Sequence, residues 1–171
     1  MPVEFTNNQI DTSALPRYET VVFRKLESDY LKVIFIRLAI AAIVLAVLFG
    51  ISYAFVEVDT VGITTTIVVA AIYLFVAIAW IVSFHKRGFA FRDHDVLYRS
   101  GVIATNITII PYNRIQHVVL HEGLFSRMFG LAEIKVFTAG MGSDIEVPGI
   151  RKDEAQAIKQ LLTGKIQKQL S

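Results

Sequence analysis

Two histidines lie four residues apart in the segment HVVLHE, and a glutamate directly follows the second one. These residues, His117, His121 and Glu122, are the side chains of this sequence whose types and spacing could bind a metal. On a helix they would lie one turn apart, as in the H-E-x-x-H pattern, where two histidines bind zinc and the glutamate is the general base. Here the glutamate follows the histidine pair instead of lying inside it.

The element that carries the two histidines decides whether they could share an ion. Val118 and Val119 are β-formers, and turn residues flank the segment, so we expect a strand over residues 114–121. Residues four apart on a strand share a face but lie about 13 Å from each other. Zinc ligands lie about 2 Å from the ion. The strand interpretation therefore excludes a zinc ion shared by His117 and His121.

The other polar residues form no catalytic or cofactor-binding motif. The chain has no cysteine and contains no G-x-S-x-G, P-loop or G-x-G-x-x-G pattern. Residues 93–95 (DHD) are interpreted as a solvated turn. Arg99, Arg114 and Arg127 could recognise an anion, but a single arginine in a small β domain is more often a framework residue bonded to backbone carbonyls. We favour the framework role for each and expect no catalytic residue, cofactor or metal.

The composition indicates a membrane protein. Of the 171 residues, 54% are hydrophobic and 19% are charged, against about 25% charged in ordinary soluble domains. The mean hydropathy is +0.53. The apolar excess is concentrated in two blocks, and the net charge of +2 is too small to suggest a nucleic-acid partner.

The two apolar blocks predict two transmembrane helices, over residues 28–56 and 61–85. No charged residue occurs between Leu38 and Val56, and Arg37 can extend its guanidinium to the lipid headgroups. Each block is long enough to cross about 30 Å of hydrocarbon. The alternative, two core helices of a soluble protein, would need a larger surrounding shell than this chain can supply.

The charges beside the two blocks predict their orientation. Residues 1–37 carry five Lys or Arg, and the second block ends at His85-Lys86-Arg87, whereas the link of residues 57–60 has none. The positive-inside rule therefore places both termini in the cytoplasm and the link outside.

Small residues recur every four positions on the first predicted span, at Ala42, Ala46 and Gly50. Such spacing lets two helices approach closely. This helix-packing stripe could join the two spans of one chain, or it could join separate chains. The sequence does not distinguish between these two interpretations.

Residues outside the spans predict one small α+β domain. Residues 1–17 are a polar tail, expected to be flexible. Residues 18–27 combine strand-forming and helically spaced apolar residues, and we favour a short strand that joins the domain. Residues 86–171 predict six short strands and a closing amphipathic helix. The strands are expected at 88–92, 96–101, 105–111, 114–121, 131–138 and 144–148, with a helical turn at 123–130, a turn at 140–142 and the helix from residue 152.

Several motifs taken together resemble the bacterial YdbS-like membrane-flanked proteins with a PH-like domain. The motifs are Arg114-Ile115-Gln116, Arg127-x-x-Gly130 and Pro148-Gly149-Ile150, and the resemblance covers residues 23–162. It implies a two-helix transmembrane hairpin followed by a small PH-like bent β-sheet or barrel, capped by a carboxy-terminal α-helix. It also implies the bacterial inner membrane, no catalytic residues, and a partner such as a larger relative with several PH-like domains. The candidate interaction or framework residues are Arg99, Arg114, Gln116, Arg127 and Gly130.

Three functions of different classes follow from these expectations. The one we favour is a non-catalytic, membrane-anchored interaction module, a subunit of a membrane complex formed with another membrane protein or by self-association. The alternative is a sensor of anionic lipid headgroups, because residues 85–171 hold 12 Lys or Arg against 8 Asp or Glu. An enzyme is the least supported, since no titratable cluster converges. A contiguous basic face would favour the sensor, and an exposed sheet edge would favour the interaction module.

Overall fold

Two long helices form a hairpin at the start of the folded chain. The computed structural model describes residues 20–55, 59–139 and 144–170. Helix α1 spans Tyr30–Phe55 and helix α2 spans Thr60–Lys86. Their 26 and 27 residues give lengths of roughly 40 Å. Only 6% and 11% of their most apolar windows are buried, so they are not core helices of a soluble protein. Both are long and apolar enough to cross a membrane.

Side chains near both ends of the hairpin hold α1 against α2. The Tyr53 hydroxyl donates to the Gly62 carbonyl at 2.9 Å, and the Tyr73 hydroxyl donates to the Leu38 carbonyl at 2.7 Å. Asp59 begins α2 because its carboxylate accepts from the Gly62 N–H at 2.7 Å. Thr60, expected in the link, is the first residue of α2, while residues 56–58 lie outside the described part.

The segment before the hairpin contains the strand that we favoured over a helix. Strand β1 is Arg24–Lys25, and it pairs antiparallel with β2 (Gly88–Phe91). The strand is shorter than expected and begins after residues 20–23, of which Val22 is almost fully exposed. Residues 1–19, which include the predicted tail, lie outside the described residues.

Antiparallel strands form two separate sheets. The first has the order β1-β2-β3-β4 and the second the order β5-β6-β7. Their strands beyond β2 are β3 (Asp95–Ser100), β4 (Asn106–Pro111), β5 (Ile115–His121), β6 (Leu131–Thr138) and β7 (Ile145–Arg151). A 3₁₀ turn, Tyr112–Arg114, connects the sheets. All six predicted strands are confirmed, although β7 continues to Arg151. The turn predicted at residues 140–142 lies outside the described residues.

The domain core lies between the sheets and under helix α4 (Lys152–Leu170). Alternate residues of β6, such as Ile134 and Val136, are fully buried, as the period of two in a strand requires. Ala155 and Leu162 carry the buried face of α4, and Ile158 packs against the same core. Leu161, the neighbour of Leu162, is half exposed. Residues 161 and 162 differ by about 100° around a helix, so only one of them can face the core.

A second apolar cluster joins the hairpin to the domain. It contains Leu26, Tyr30, Val33, Ile34, Phe84 and Leu131, with Phe125 and Phe129 against them. At its edge the Glu27 N–H donates to the Gly149 carbonyl at 2.9 Å. Gly149 has a φ of +67°, and a Cβ there would lie 2.8 Å from the Tyr30 side chain. The ends of the hairpin that lie farthest from its link are therefore packed into the domain.

Candidate functional site

The histidine pair lies on strand β5, as expected, and both side chains are exposed. His117 stacks on Phe137 with ring centroids 4.4 Å apart. The Glu122 carboxylate accepts from the Lys152 ammonium at 3.0 Å. Within the described residues no group of three His, Asp or Glu side chains could hold a metal ion. The spacing of four residues thus places both histidines on the outward face of one strand.

Arg99 and Arg114 occupy different environments. The Arg99 guanidinium lies 4.7 Å from the centre of the Phe23 ring, and its buried Nε has no hydrogen-bond partner among the described residues. The Arg99 guanidinium therefore lies over an aromatic ring. The Arg114 side chain is exposed, while its backbone carbonyl accepts from the Ala139 N–H at 3.0 Å. Gln116 is exposed at the irregularity where β5 pairs with β6.

Arg127 lies in the helical turn that was predicted at residues 123–130. It belongs to helix α3 (Leu124–Met128), and its side chain is exposed without a hydrogen bond or ion pair in the described chain. The turn satisfies its own backbone, since Arg127 N–H donates to Gly123 at 2.9 Å and Gly130 N–H donates to Arg127 at 3.1 Å. Phe125 supplies the apolar contact of the turn. The framework role of the Arg127 side chain stays a prediction, and Gly130, at a φ of +65°, fits the end of the turn.

The small residues of α1 divide between two surfaces. Ala42 is half-buried in the hairpin, whereas Ala46 and Gly50 are exposed. A Cβ added at Gly50 would meet nothing within 4 Å. Packing of α1 against α2 thus makes no use of Ala46 or Gly50, and their side of α1 is open to another helix or to lipid.

The hairpin and the domain together enclose a polar cavity that the sequence did not indicate. Its volume is about 410 Å³. Arg37 on α1 and Arg87, directly after α2, line it from the hairpin side, together with Trp80. The Arg87 Nε donates to the Ser83 hydroxyl at 3.2 Å. Among the described residues, neither arginine forms an ion pair.

The domain contributes carboxylates to the opposite side of this cavity. They belong to Glu133, Asp144 and Glu146. The Lys135 ammonium lies 2.6 Å from Glu146 and 3.5 Å from Glu133. A hydrogen bond from Lys135 lowers the pKa of the Glu146 carboxyl, which is therefore ionised at neutral pH. The Asp144 carboxylate accepts from the Thr138 N–H at 2.8 Å.

Neutral donors complete the lining of the cavity. They are the hydroxyl groups of Tyr30, Tyr98, Ser100 and Thr108. Burial raises the pKa of the Tyr98 phenol, so this hydroxyl keeps its proton at neutral pH. The cavity can therefore bind both an anionic and a cationic group, but it contains no nucleophile paired with a base.

An apolar groove adjoins the cavity and runs between the two membrane helices. It has a volume of about 280 Å³ and shares Arg37 and Trp80 with the polar cavity. Its other lining residues are Ile34, Leu38, Ala41, Tyr73 and Val76. Sequence reasoning missed this site because its residues come from distant elements. The one local signal in the sequence was Arg37, a charged residue inside an apolar run. Contact between its guanidinium and the lipid headgroups was sufficient to explain that position.

Both sheets have an edge strand that could pair with another chain. Among the described residues, strand β4 pairs with β3 alone and strand β5 with β6 alone. Strand β5 contains no proline and no Lys, Arg, Asp or Glu, whereas β4 ends at Pro111. Natural edge strands are commonly protected by such residues. The exposed apolar side chains at these two edges are Ile109, 43% exposed, and Val119, 40% exposed.

A helical membrane hairpin that carries two antiparallel sheets and a closing helix defines a membrane-associated module with a PH-like fold. The sequence model of the family described as bacterial PH domain matches residues 23–166. This chain therefore belongs to the bacterial PH domain family.

One similar protein is described as a transmembrane protein. The chain is similar to the UPF0699 transmembrane protein YdbS of Bacillus subtilis (strain 168), with 26% identity over 72 residues. The similar stretch covers 42% of this chain and 44% of that protein, which is less than half of either. No solved structure matches the chain. The expected resemblance to YdbS-like proteins is confirmed, and the match supports a membrane protein of bacterial type.

Proposed function

We propose that this chain is a non-catalytic interaction module of the bacterial inner membrane, and that it acts as a subunit of a membrane protein complex. The observation that carries the proposal is the open edge of β5. An exposed strand edge offers unpaired backbone groups to an extended segment of a partner, which adds a strand to the sheet. The Val119 side chain gives that partner an apolar contact.

The membrane hairpin supports this proposal through effective concentration. A domain held at the membrane meets other membrane proteins in two dimensions, so a weak strand contact is reinforced by a second contact between helices. The exposed side of α1 at Ala46 and Gly50 is suited to that second contact. The partner is another membrane protein, such as a larger relative with several PH-like domains, or a second copy of this chain. Both termini are cytoplasmic in this proposal, so that β5 faces the cytoplasm.

A pair of matched lysine variants tests the β5 edge. Val119→Lys places a charge on the edge of β5, and Ile109→Lys places the same charge at nearly equal exposure on the edge of β4. Each variant is expressed in the native host and extracted from membranes in a mild detergent. We expect Val119→Lys to convert the complex to monomer and Ile109→Lys to preserve it, as measured by native gel mobility. Equal masses for the wild type and both variants would contradict the proposal.

Lipid-headgroup binding is a second candidate, favoured by one specific observation. Arg37 and Arg87 face the junction cavity without an acidic partner among the described residues. Unpaired guanidinium groups beside a bilayer are suited to bind the phosphate of a lipid. This candidate is independent of the β5 edge.

A further inference from the structure

Opposite charges line the junction cavity without meeting each other. Arg37 and Arg87 lie on the hairpin, while Glu133, Asp144 and Glu146 lie on the domain. No ion pair joins the two groups in the part of the chain that the structure describes. The lining itself has two cations and three anions. Lys135, outside the lining, pairs with both Glu133 and Glu146 and neutralises part of their charge. Such a cavity is complementary to a ligand that carries both charges, separated from each other.

The shape of the site indicates a lipid more than a soluble ion. The polar cavity and the apolar groove share Arg37 and Trp80 in their linings, and the groove runs between the two membrane helices. An acyl chain can lie along this groove while the headgroup enters the cavity. Free phosphate or a soluble amino acid would leave the groove unfilled.

We infer that the junction cavity binds a phospholipid whose headgroup carries a phosphate and a primary ammonium group. The phosphate binds Arg37 and Arg87, and the ammonium donates hydrogen bonds to Glu133 and Glu146. The inference rests on lipid binding, the second candidate function, and specifies its ligand class. One ammonium, that of Lys135, is shared by Glu133 and Glu146, so this pair of carboxylates keeps a net negative charge that a purely anionic headgroup would not neutralise. A trimethylammonium headgroup has no N–H to donate to them.

The single tryptophan of the chain allows a direct binding assay, because Trp80 lines both the cavity and the groove. The full chain in a neutral detergent is titrated with short-chain phosphatidylethanolamine, phosphatidylcholine and phosphatidylglycerol, and with inorganic phosphate. We expect a saturable change of Trp80 fluorescence with phosphatidylethanolamine. Phosphatidylcholine should bind roughly tenfold more weakly, since a charge-assisted hydrogen bond is lost. Inorganic phosphate should have no effect.

Two variants test binding of the phosphate and binding of the ammonium separately. Arg87→Gln should weaken binding of both phosphatidylethanolamine and phosphatidylglycerol, whereas Glu133→Gln should weaken only phosphatidylethanolamine. Lys159→Gln is the control, because Lys159 is exposed on α4, away from the junction. Native mass spectrometry of the chain purified from membranes that contain both lipids gives a second measurement that does not depend on fluorescence. We expect retained phosphatidylethanolamine in the wild type.

The outcomes distinguish binding of a lipid with a primary ammonium from the second candidate function, which is lipid-headgroup binding in general. Binding of phosphatidylglycerol at equal or higher affinity would overturn the inference and leave the anionic-headgroup function in place. An equal response to inorganic phosphate would show that the groove does not contribute, and it would also overturn the inference. If no lipid changes the fluorescence and none is retained, both the inference and the second candidate function fail.

Discussion

The substitution Gly149→Ala adds one methyl group at the contact between the domain and the hairpin, and it should weaken that contact. The φ of Gly149, +67°, is a left-handed conformation, which an alanine adopts at a cost of about 1–2 kcal/mol. The new Cβ would also lie 2.8 Å from Cβ and Cγ of Tyr30. These atoms are close to the backbone of α1, so the helix itself must shift. Overpacking of this kind costs about 1–3 kcal/mol, and Gly149→Ala should destabilise the fold by about 2–5 kcal/mol in total.

Gly130 provides the matched control for this prediction. Its φ of +65° is almost the same, but a Cβ there would meet nothing within 4 Å. Gly130→Ala should therefore show only the conformational cost of about 1–2 kcal/mol. The free energy of unfolding is measured in guanidinium and mild detergent, with Trp80 fluorescence reporting the junction and far-UV circular dichroism reporting the whole fold. If both variants lose the same free energy, the close contact between Gly149 and Tyr30 does not couple the hairpin to the domain.

Three further predictions follow from the membrane hairpin and the cavity. With both termini cytoplasmic, a membrane-impermeant thiol reagent should modify Thr60→Cys in intact cells and spare Asn113→Cys; the reverse pattern would invert the topology. Because the Lys135 hydrogen bond lowers the pKa of Glu146 below its ordinary 4.5, the pair stabilises the fold above about pH 4.5 and loses this contribution as the pH falls through the lowered pKa. Glu146→Gln should flatten that acid limb of the stability curve, and an unchanged limb would refute the assignment. Ala46→Leu should reduce crosslinking between chains or to a partner several-fold without changing insertion, and unchanged crosslinking would show that this side of α1 faces only lipid.

The strands and the closing helix were predictable because their signals are local. Strand β6 alternates between buried residues such as Ile134 and outward residues such as Lys135, which is the period that a half-buried strand requires. The apolar face of α4 was likewise visible in Ala155, Ile158 and Leu162. The hairpin followed from the length of two uncharged runs. Each of these features depends on residues that are close in sequence.

The junction could not be predicted because its contacts are long-range. Tyr30 meets Gly149 only after the whole domain has folded, and no local pattern marks either residue for that contact. Arg127 was expected to bond backbone carbonyls, and in its turn the carbonyls of Gly123, Ser126 and Arg127 accept from backbone N–H groups. The cavity combines Arg37 with Glu133 across the chain, so its mixed charge became visible only when the elements were brought together.

The most direct test of the proposed function is photocrosslinking from the two sheet edges in native membranes. A photoreactive amino acid replaces His121 on the edge of β5, or Asn106 on the edge of β4, both of which are exposed. The proposal predicts a discrete protein adduct from position 121 that Val119→Lys abolishes, and no such adduct from position 106. Only monomer at both positions, or an adduct from position 121 that survives Val119→Lys, would contradict the claim that β5 binds a membrane protein partner.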